Sequence, residues 1–414
     1  MPPLSRRDFL IVTGAVGAAI ISIRFELDRI LHAGNSPVLV GIRKPTSLPT
    51  SENPMPSNSS SLVFASGYAS AAQAGIHAYL FDEDRGALIP HGSYAGILNP
   101  SFICVHPNGR WLYAVSETGQ NSDGVSGGVC ALTFEREPFA MRLLNRQPSG
   151  GDWPCHLQLD RTGHWLFVAN YGTGNASVYP IQVDGSLGEM SAHVQHMALS
   201  PGANAERQAG PHAHSVTLSP DNQFALVADL GLDQIVIYKF DPDVGKLIRH
   251  TTTHTRPGAG PRHLAFHPNG QWLYVTNELD NTVTYYLYDD ALGTVVEKQS
   301  LSSLPAGPQS APENGLADIH VSASGKRVYA SNRGHNSLAV FDIGDDGRLT
   351  LVSIPSCGGN WPRSFALAPG GKFALVANQY SHEVCVLPLL IGTDAIGATL
   401  ERATLPGAAC IKFA

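Results

Sequence analysis

Two histidines, His212 and His214, stand at positions i and i+2 in the stretch GPHAHSV, immediately before an apolar run. Alternate residues of an extended strand share a face, so two imidazoles in this register can ligate one metal ion. A single imidazole can instead transfer protons near neutral pH. No carboxylate of matching spacing follows, and Pro211 indicates that His212 still belongs to a loop. The stretch therefore favours proton transfer at His214, and we predict neither a metal nor a cofactor.

Three further charged residues stand in short polar contexts: Arg262 in GPRH, Glu278 in NEL and Arg333 in SNRG. A guanidinium holds a carboxylate, a phosphate or an oxyanion through paired N–H donors. A carboxylate accepts protons or orients water. His214 and Glu278 can therefore supply proton transfer, and the two arginines can hold negative charge. The elements that carry these residues decide whether they meet.

Six copies of one pattern carry them: an apolar run, a turn rich in Pro, Asp, Asn and Gly, a second apolar run that ends in a small polar residue, and a third apolar run. FICVHPNGRWLYAVSE and HLAFHPNGQWLYVTNE are two of the copies. The turns recur at spacings of 46 to 59 residues, which with about four short strands in each copy is typical of propeller blades. The six turn residues are Gly109, Gly163, Asn222, Gly270, Gly325 and Gly371.

The two ends of the repeat region supply a seventh blade. SLVFASGYA and GIHAYLFDE look like the second and third strands of a blade that lacks its first, and the C-terminal AACIKFA can provide that strand. Such closure pairs strand edges that would otherwise be free. The sequence therefore predicts an all-β fold: a seven-bladed β-propeller over residues 61–414, with its first blade closed by the C-terminal strand.

Residues at equal distances before and after a turn lie opposite each other across an antiparallel hairpin. The small polar residue seven positions after each turn recurs in all copies, which indicates local backbone capping. The residue types eight positions before and eight positions after the turn differ from copy to copy. Such differing side chains are expected of a pocket at the channel mouth. The column eight before the turn contains Ser101, Cys155, His214, Arg262, Ala317 and Arg363. The column eight after the turn contains Glu117, Tyr171, Leu230, Glu278, Arg333 and Gln379.

The N-terminal segment resembles a twin-arginine (Tat) export signal, because Arg6 and Arg7 precede a moderately apolar run over residues 10–23. This run is shorter than the ~20 residues of a membrane span. We expect residues 1–33 to be removed as a signal peptide and residues 34–60 to form a Pro/Ser-rich leader. The predicted destination is the periplasm or the cell exterior, through the Tat export machinery, with no membrane span in the mature protein.

Composition narrows the function further. The net charge of −7 provides no basic footprint for nucleic acid. The six cysteines show neither CxxC nor zinc-ligand spacing, and several stand in apolar runs. We expect them to be buried free thiols rather than ligands or disulfides.

Several motifs, in order, resemble one known family: GPHAHSV, GAGPRHLAFHPNG, VTNELDNTV, SNRGHNSLAVF and WPRSFALAPGGKF. This is the lactonase family of seven-bladed propellers, which includes the cycloisomerase-type 6-phosphogluconolactonase and the fungal carboxy-cis,cis-muconate lactonizing enzyme. The resemblance covers residues 61–414 and implies a channel-lining active-site group of one His, one Glu and two Arg. By motif these are His214, Glu278, Arg262 and Arg333, all of which stand in the two columns.

Lactone hydrolysis needs an activated water, stabilisation of the carbonyl oxyanion and a proton for the departing alkoxide. On this chemistry we assign His214 as the general acid/base and Glu278 as its partner base or the group that orients water. Arg262 and Arg333 would clamp the oxyanion and a substrate carboxylate or phosphate, although an Arg262–Glu278 ion pair is the alternative interpretation. The residues expected to contact the substrate are Glu117, Tyr171, His263, Arg363 and Gln379.

The predicted substrate is a sugar lactone of carbohydrate metabolism, and export favours an aldonolactone without phosphate. Three alternatives stay open: a carboxy-muconate-type cycloisomerase, a metal-dependent gluconolactonase of six-bladed type, and a non-catalytic propeller that binds a glycan or a protein. The long loops over residues 200–210 and 305–317 would suit such a binding module. A binding module also favours aromatic platforms at the mouth, and in the two columns only Tyr171 is aromatic.

Overall fold

The computed structural model describes residues 60–120, 126–198, 200–306, 313–390 and 396–414. The expected signal peptide, residues 1–33, and the leader up to residue 59 lie outside the described residues. The described ranges form 28 β-strands and contain no helix with the length and apolarity to cross a membrane.

The strands are short and regularly spaced, as the repeat predicts. In chain order they are β1 (Ser60–Gly67), β2 (Ala74–Asp82), β3 (Ala87–Ala95), β4 (Ile103–Val105), β5 (Trp111–Ser116), β6 (Gly128–Arg136), β7 (Phe139–Pro148), β8 (Pro154–Leu159), β9 (Trp165–Asn170), β10 (Asn175–Pro180), β11 (Ala192–Gln195), β12 (Ala213–Leu218), β13 (Phe224–Asp229), β14 (Gln234–Asp241), β15 (Lys246–His254), β16 (Pro261–Phe266), β17 (Trp272–Asn277), β18 (Thr282–Asp289), β19 (Thr294–Ser302), β20 (Gly315–Val321), β21 (Arg327–Arg333), β22 (Ser337–Ile343), β23 (Leu349–Ser353), β24 (Pro362–Leu367), β25 (Phe373–Asn378), β26 (Glu383–Pro388), β27 (Glu401–Thr404) and β28 (Ala408–Phe413).

These strands form seven four-stranded antiparallel sheets, the blades of a propeller. Blade 1 has the order β28-β1-β2-β3, and blades 2 to 7 each take the next four strands in sequence, from β4–β7 to β24–β27. The first strands of neighbouring blades contact one another around a closed ring, from β4 through β8, β12, β16, β20 and β24 to β28 and back to β4. The prediction of seven blades is confirmed, and the six-bladed alternative is wrong.

Closure of the ring depends on the C-terminal strand. β28 pairs antiparallel with β1, with Val63 opposite Phe413 and Gly67 opposite Ala408. The first blade is therefore completed by chain from the far end of the sequence, as the apolar run AACIKFA predicts. This pairing leaves neither partner with a free edge on that side.

The core lies between the faces of adjacent blades. Second strands such as β13 and β25 are buried along their whole length, which explains their continuous apolar runs. Phe167 and Val178 of blade 3, for example, belong to one apolar cluster with Val216 and Val227 of blade 4. The six cysteines are all free and buried, as expected from their apolar surroundings.

A β-bulge near the start of the first strand recurs in most blades. In β12 the pairing passes from Ala213–Asp229 to Ser215–Ala228, so His214 is the extra residue. A bulged residue leaves the ladder and turns its side chain away from the regular pleat. The bulge residues of β8, β12, β16 and β24 are Cys155, His214, Arg262 and Arg363, which are members of the column eight before the turn.

The recurring polar residue seven positions after the turn has the expected capping role. The side-chain amide nitrogens of Asn170 and Asn332 donate to the carbonyls of Ser149 and Ser303, at 3.0 and 3.1 Å. Asp229 instead accepts the backbone N–H of His212 at 2.8 Å. These bonds hold the loops that lead into and out of the channel mouth.

Candidate active site

Both sequence columns meet at one end of the channel because of a short backbone contact. The residue two positions before each bulge accepts, through its carbonyl, the N–H of the residue eight after the turn. Gly260 accepts from Glu278 at 2.7 Å, and Trp153 accepts from Tyr171 at 3.0 Å. This bond places the side chains that follow the second strand beside the bulged side chains of the first.

Glu278 is the centre of the largest charged cluster. Its side chain is 4% exposed. Its Oε2 lies 2.9 Å from Nε of Arg262 and 2.7 Å from Nη2 of Arg333. Its Oε1 accepts a hydrogen bond from Nη2 of Arg207 at 2.6 Å. The predicted Arg262–Glu278 ion pair is present, and it belongs to a network with three arginines.

The three arginines keep Glu278 ionised. Burial acts to raise the pKa of Glu278, but Arg333, Arg262 and Arg207 outweigh it and hold that pKa well below the usual range of a glutamate. Burial and the repulsion from Arg333 lower the pKa of Arg262 to about 10. At neutral pH the carboxylate is therefore charged and Arg262 stays protonated. Glu278 with both oxygens in ion pairs is better suited to holding the arginines than to accepting a proton.

Arg333 is fixed on several sides. Its Nε donates to the carbonyl of Gly315 at 3.1 Å, and its Nη2 donates to the carbonyl of Leu316 at 3.3 Å. The guanidinium carbon lies 5.5 Å from the ring centroid of Trp361. Arg333 is thus buried within the site rather than a surface link between blades.

Arg363 and Glu117 form a second charged group. Nη2 of Arg363 lies 3.8 Å from Oε2 of Glu117, and its guanidinium carbon lies 5.2 Å from the ring centroid of Tyr68. Glu117 also accepts hydrogen bonds from Tyr68, at 2.8 Å, and from Ser101. The side chain of Arg363 makes no hydrogen bond within the part of the chain that the structure describes, so its N–H donors are available to a ligand.

His214 lies beside this cluster and is 5% exposed. Its Nδ1 lies 3.8 Å from Sγ of Cys155, and its ring packs against Tyr171 and His263 with centroids 5.5 and 5.4 Å apart. No hydrogen-bond partner of Nε2 lies among the described residues. Burial, and then the charge of Arg262, holds the pKa of His214 well below its usual value. The imidazole is therefore neutral at physiological pH and can accept a proton.

His263 links Arg262 to a buried carboxylate. Nη1 of Arg262 donates to Nε2 of His263 at 3.2 Å, and Nδ1 of His263 donates to Oδ1 of Asp318 at 2.8 Å. Oδ2 of Asp318 in turn lies 3.2 Å from Nε2 of His320. Because both ring nitrogens of His263 are used inside the protein, its geometry favours a supporting role over the predicted direct contact with substrate.

Gln379 is a predicted contact residue whose side chain is not hydrogen-bonded to the cluster within the described residues. Its backbone N–H donates to the carbonyl of Trp361 at 3.0 Å. Its side-chain Oε1 is buried and has no hydrogen-bond partner among the described residues. Within the same ranges, neither charged group of the site is bonded to this side chain.

Two members of the site escaped the sequence-based prediction. Arg207 stands in the loop over residues 200–210 and reaches Glu278 as well as the hydroxyl of Tyr171, at 3.3 Å. Tyr68 follows β1, and its backbone N–H donates to the carbonyl of Gly407 at 3.0 Å. Tyr68 is thus blade 1's equivalent of the column eight after the turn. The sequence assigns Tyr68 to this column only if β28 and β1 are first recognised as neighbouring strands of one blade.

His212 and His214 have different surroundings. Nδ1 of His212 lies 2.9 Å from the carbonyl oxygen of Tyr171, and its ring stacks on Tyr171 with centroids 4.5 Å apart. β12 begins at Ala213, so His212 stands in the loop as Pro211 indicates. Within the described ranges, no group of three or more His, Cys, Asp or Glu side chains is arranged to hold a metal ion.

The charges at the mouth do not cancel. Within the two ion-paired groups four arginines face two glutamates, a formal excess of two positive charges, and the buried carboxylate of Asp318 behind His263 offsets one of them. Such an excess attracts an anionic group and stabilises negative charge that develops during a reaction. The charged residues are Arg207, Arg262, Arg333, Arg363, Glu117 and Glu278.

The buried imidazoles predict an acid-sensitive fold. Burial lowers the pKa of His263 to about 4 and lowers the pKa values of His156 and His214. An unfolded chain binds protons at these histidines near pH ~6.5, so it holds more protons than the folded protein below that pH. The free energy of unfolding should therefore have its highest value above pH ~6.5. It should decrease by more than ~1 kcal/mol as the pH falls towards 4.

Urea denaturation at pH 7.5, 6.0 and 5.0 measures this dependence. The variant His263→Asn should show a smaller decrease than the wild type. A variant of the exposed His193 should keep the wild-type decrease. An equal slope in all three proteins would contradict the role of the buried ring.

Comparison with known proteins agrees with this architecture. Residues 62–413 match the family described as Lactonase, 7-bladed beta-propeller. The chain is 31% identical to the 6-phosphogluconolactonase of Bacillus subtilis (strain 168), over 84% of this chain and 96% of that relative. It is 30% identical to the periplasmic gluconolactonase of Pseudomonas aeruginosa, a solved structure, with a TM-score of 0.79 over 86% of this chain and 99% of that one. The chain therefore belongs to the seven-bladed β-propeller lactonase family and is an enzyme of the lactonase class.

Proposed function

We propose that this enzyme hydrolyses an aldonolactone without phosphate, with His214 as the general acid/base. The observation that carries the proposal is the buried, neutral imidazole of His214, whose Nε2 has no partner among the described residues and which lies next to an arginine-rich cluster. The lowered pKa keeps Nε2 unprotonated at neutral pH, and the oxyanion that develops in the transition state favours transfer of a proton from the attacking water to this nitrogen. The resulting imidazolium can return that proton to the departing ring oxygen.

The arginines divide into two roles in this proposal. Arg262 and Arg333, held by Glu278, stabilise the oxyanion that forms on the lactone carbonyl. The contacts that hold them in place are useful because preorganised charges need not reorient during the reaction. Arg363, with unused N–H donors, binds hydroxyl groups of the sugar. Glu278 serves as the group that positions the arginines.

The proposed location and substrate support each other. Arg6 and Arg7 with the following apolar run support export through the Tat machinery. The Pseudomonas aeruginosa relative is named a periplasmic gluconolactonase. Phosphorylated sugars are intermediates of the cell interior, so an exported lactonase would meet the unphosphorylated lactone. The excess positive charge of the site would also bind a phosphate, which makes the choice of substrate a direct experimental question.

A panel of lactones supplied to the purified protein tests the proposal, with the acid released on hydrolysis measured in a pH-stat. We expect kcat/KM for glucono-δ-lactone to exceed the value for its 6-phosphate ester. The spontaneous hydrolysis rate of each lactone is the control. Turnover of the phosphate ester alone would contradict the proposed substrate, and no turnover of any lactone would contradict the proposed hydrolysis. Fusion of residues 1–33 to a reporter that folds before export tests the Tat signal separately.

A further inference from the structure

One backbone position at the channel mouth has an unusual conformation in several blades. The residue whose carbonyl accepts the N–H of the residue that follows the second strand is left-handed, with positive φ, in five of them: Asn99 (48°), Trp153 (52°), Gly260 (65°), Trp361 (68°) and Gly407 (56°). Glycine and asparagine adopt this conformation readily. A bulky aromatic residue is strained there, and such strain is found where function requires a particular side chain. The two tryptophans therefore need an explanation that the other three residues do not.

Trp361 has such an explanation within the protein. Its ring stacks on Tyr380, with centroids 4.8 Å apart and planes inclined by 24°. Arg333 lies over the same ring at 5.5 Å. Trp361 thus helps to hold an arginine that contacts Glu278. The strained backbone at position 361 therefore places a ring that supports the charged cluster.

Trp153 has no comparable partner. Its side chain is 50% exposed, and no aromatic ring or cation stacks on it in the part of the chain that the structure describes. Its backbone is nevertheless fixed on both sides, because its N–H donates to Thr118 at 2.9 Å and its carbonyl accepts from Tyr171 at 3.0 Å. An exposed indole in a strained, firmly held position is not required for packing.

The adjacent loop leaves room for this indole. A Cβ on Gly119 would lie only 2.8 Å from Nε1 of Trp153, so a larger residue at position 119 would displace the ring. Gly119 stands two residues after Glu117, which contacts Arg363. On the other side, Tyr171 contacts Arg207 and His214. Trp153 therefore stands at the rim between the two charged groups of the site.

Tyr171, whose backbone N–H donates to the carbonyl of Trp153, provides a second aromatic ring near this rim. The ring of Tyr171 stacks on His212 with planes inclined by only 13°. A sugar ring presents one or both faces as C–H groups, which pack against the negative π face of an aromatic ring, while its hydroxyls remain in water. An exposed indole beside a polar catalytic cluster suits a substrate with a second sugar ring attached to the lactone.

We propose that Trp153 is a binding platform for the glycosyl ring of an aldobionolactone, a disaccharide whose reducing end is the lactone. This inference rests on the proposed hydrolysis of aldonolactones and names the substrate class more closely. The lactone ring occupies the His214 and arginine cluster, and the second ring stacks on the exposed indole. The strain at position 153 is maintained because Gly or Asn there would provide no platform.

Kinetics with two lactones test this inference: glucono-δ-lactone and cellobiono-δ-lactone, measured in the pH-stat. We expect Trp153→Ala to raise KM for the cellobionolactone about tenfold while kcat stays unchanged. The KM for the gluconolactone should change less than about twofold. Gly119→Ala, which displaces the indole, should reproduce the selective effect, and Trp153→Phe should retain most of the binding. Leu292→Ala, at an exposed apolar residue between β18 and β19, is the matched control.

A further variant separates binding from folding. Trp153→Asn places a residue suited to positive φ at this position, so its Tm should equal or exceed that of the wild type while its KM for the cellobionolactone rises. Equal effects of Trp153→Ala on both lactones, or none on the cellobionolactone, would overturn the platform. So would a wild type that hydrolyses only the monosaccharide lactone. A wild type that hydrolyses neither lactone would instead contradict the proposed hydrolysis itself.

Discussion

Replacement of His214 by Ala is expected to lower kcat for the lactone about 10²–10⁴-fold, the usual contribution of a general acid/base. The imidazole is buried, its pKa is lowered by burial and then by Arg262, and Nε2 is unused within the described residues. Removal of the ring leaves water without a base and the departing alkoxide without a proton donor. The KM should change little, because the arginines that hold the substrate remain.

The matched control is His212→Ala, two residues away. His212 stacks on Tyr171 and contacts its carbonyl, so its loss should lower kcat less than about tenfold. Circular dichroism and Tm establish that both variants fold. A decrease of less than about tenfold in the His214 variant would refute the acid/base role, and an equal decrease in both would indicate damage to the loop.

Replacement of Glu278 by Ala should have the largest effect on stability, a loss of about 3–5 kcal/mol in the free energy of unfolding. Arg262 and Arg333 are buried and share Oε2 of this carboxylate at 2.9 and 2.7 Å. Without it, two guanidinium groups remain buried next to each other with no counter-charge. We also expect lactone turnover to be lost, since the arginines would separate.

Urea denaturation measures this loss, with Asp346→Ala as the matched control. The Asp346–Arg348 pair is mostly exposed to solvent, so its removal should change stability by less than about 0.5 kcal/mol. A loss below about 1 kcal/mol for the Glu278 variant would show that the cluster is not a stabilising network. The pKa of Glu278 is lowered by the arginines, so its contribution is present above the usual glutamate pKa of ~4.3 and is lost only in stronger acid.

Much of the site could be predicted from the sequence because a hairpin has a fixed register. The number of residues between a side chain and the turn determines how far along the channel that side chain lies. Whether this number is even or odd determines which face of the sheet it is on. His214, Arg262, Glu278 and Arg333 could therefore be assigned to one end of the channel from turn spacing and motif alone. The bulge was not predictable from the count, yet it preserves the column because it recurs at the same position in blade after blade.

Contacts made by irregular chain could not be predicted in this way. Arg207 stands in a loop that has no counterpart in the repeat, so nothing in its spacing placed it against Glu278. Tyr171 is the one aromatic residue in the two columns, but counting along the columns does not reveal the aromatic residues that stand just outside them. Trp153 and Trp361 stand two positions ahead of the columns, and their left-handed backbone, which leaves no sequence pattern, holds them at the rim.

The sequence by itself determined the blades, their number and the height at which each polar side chain stands, because apolar periodicity and turn spacing are local properties of the chain. Only the tertiary structure decided which of those side chains touch. Tyr68 belongs to the site because β28 pairs with β1. The sequence did not reveal this, because the two strands come from opposite ends of the chain and share no turn from which positions can be counted. Gln379 stands in the same column as Glu278, yet among the described residues its side chain is hydrogen-bonded to neither charged group, because side-chain rotamers and neighbouring blades, rather than register, determine the final contacts.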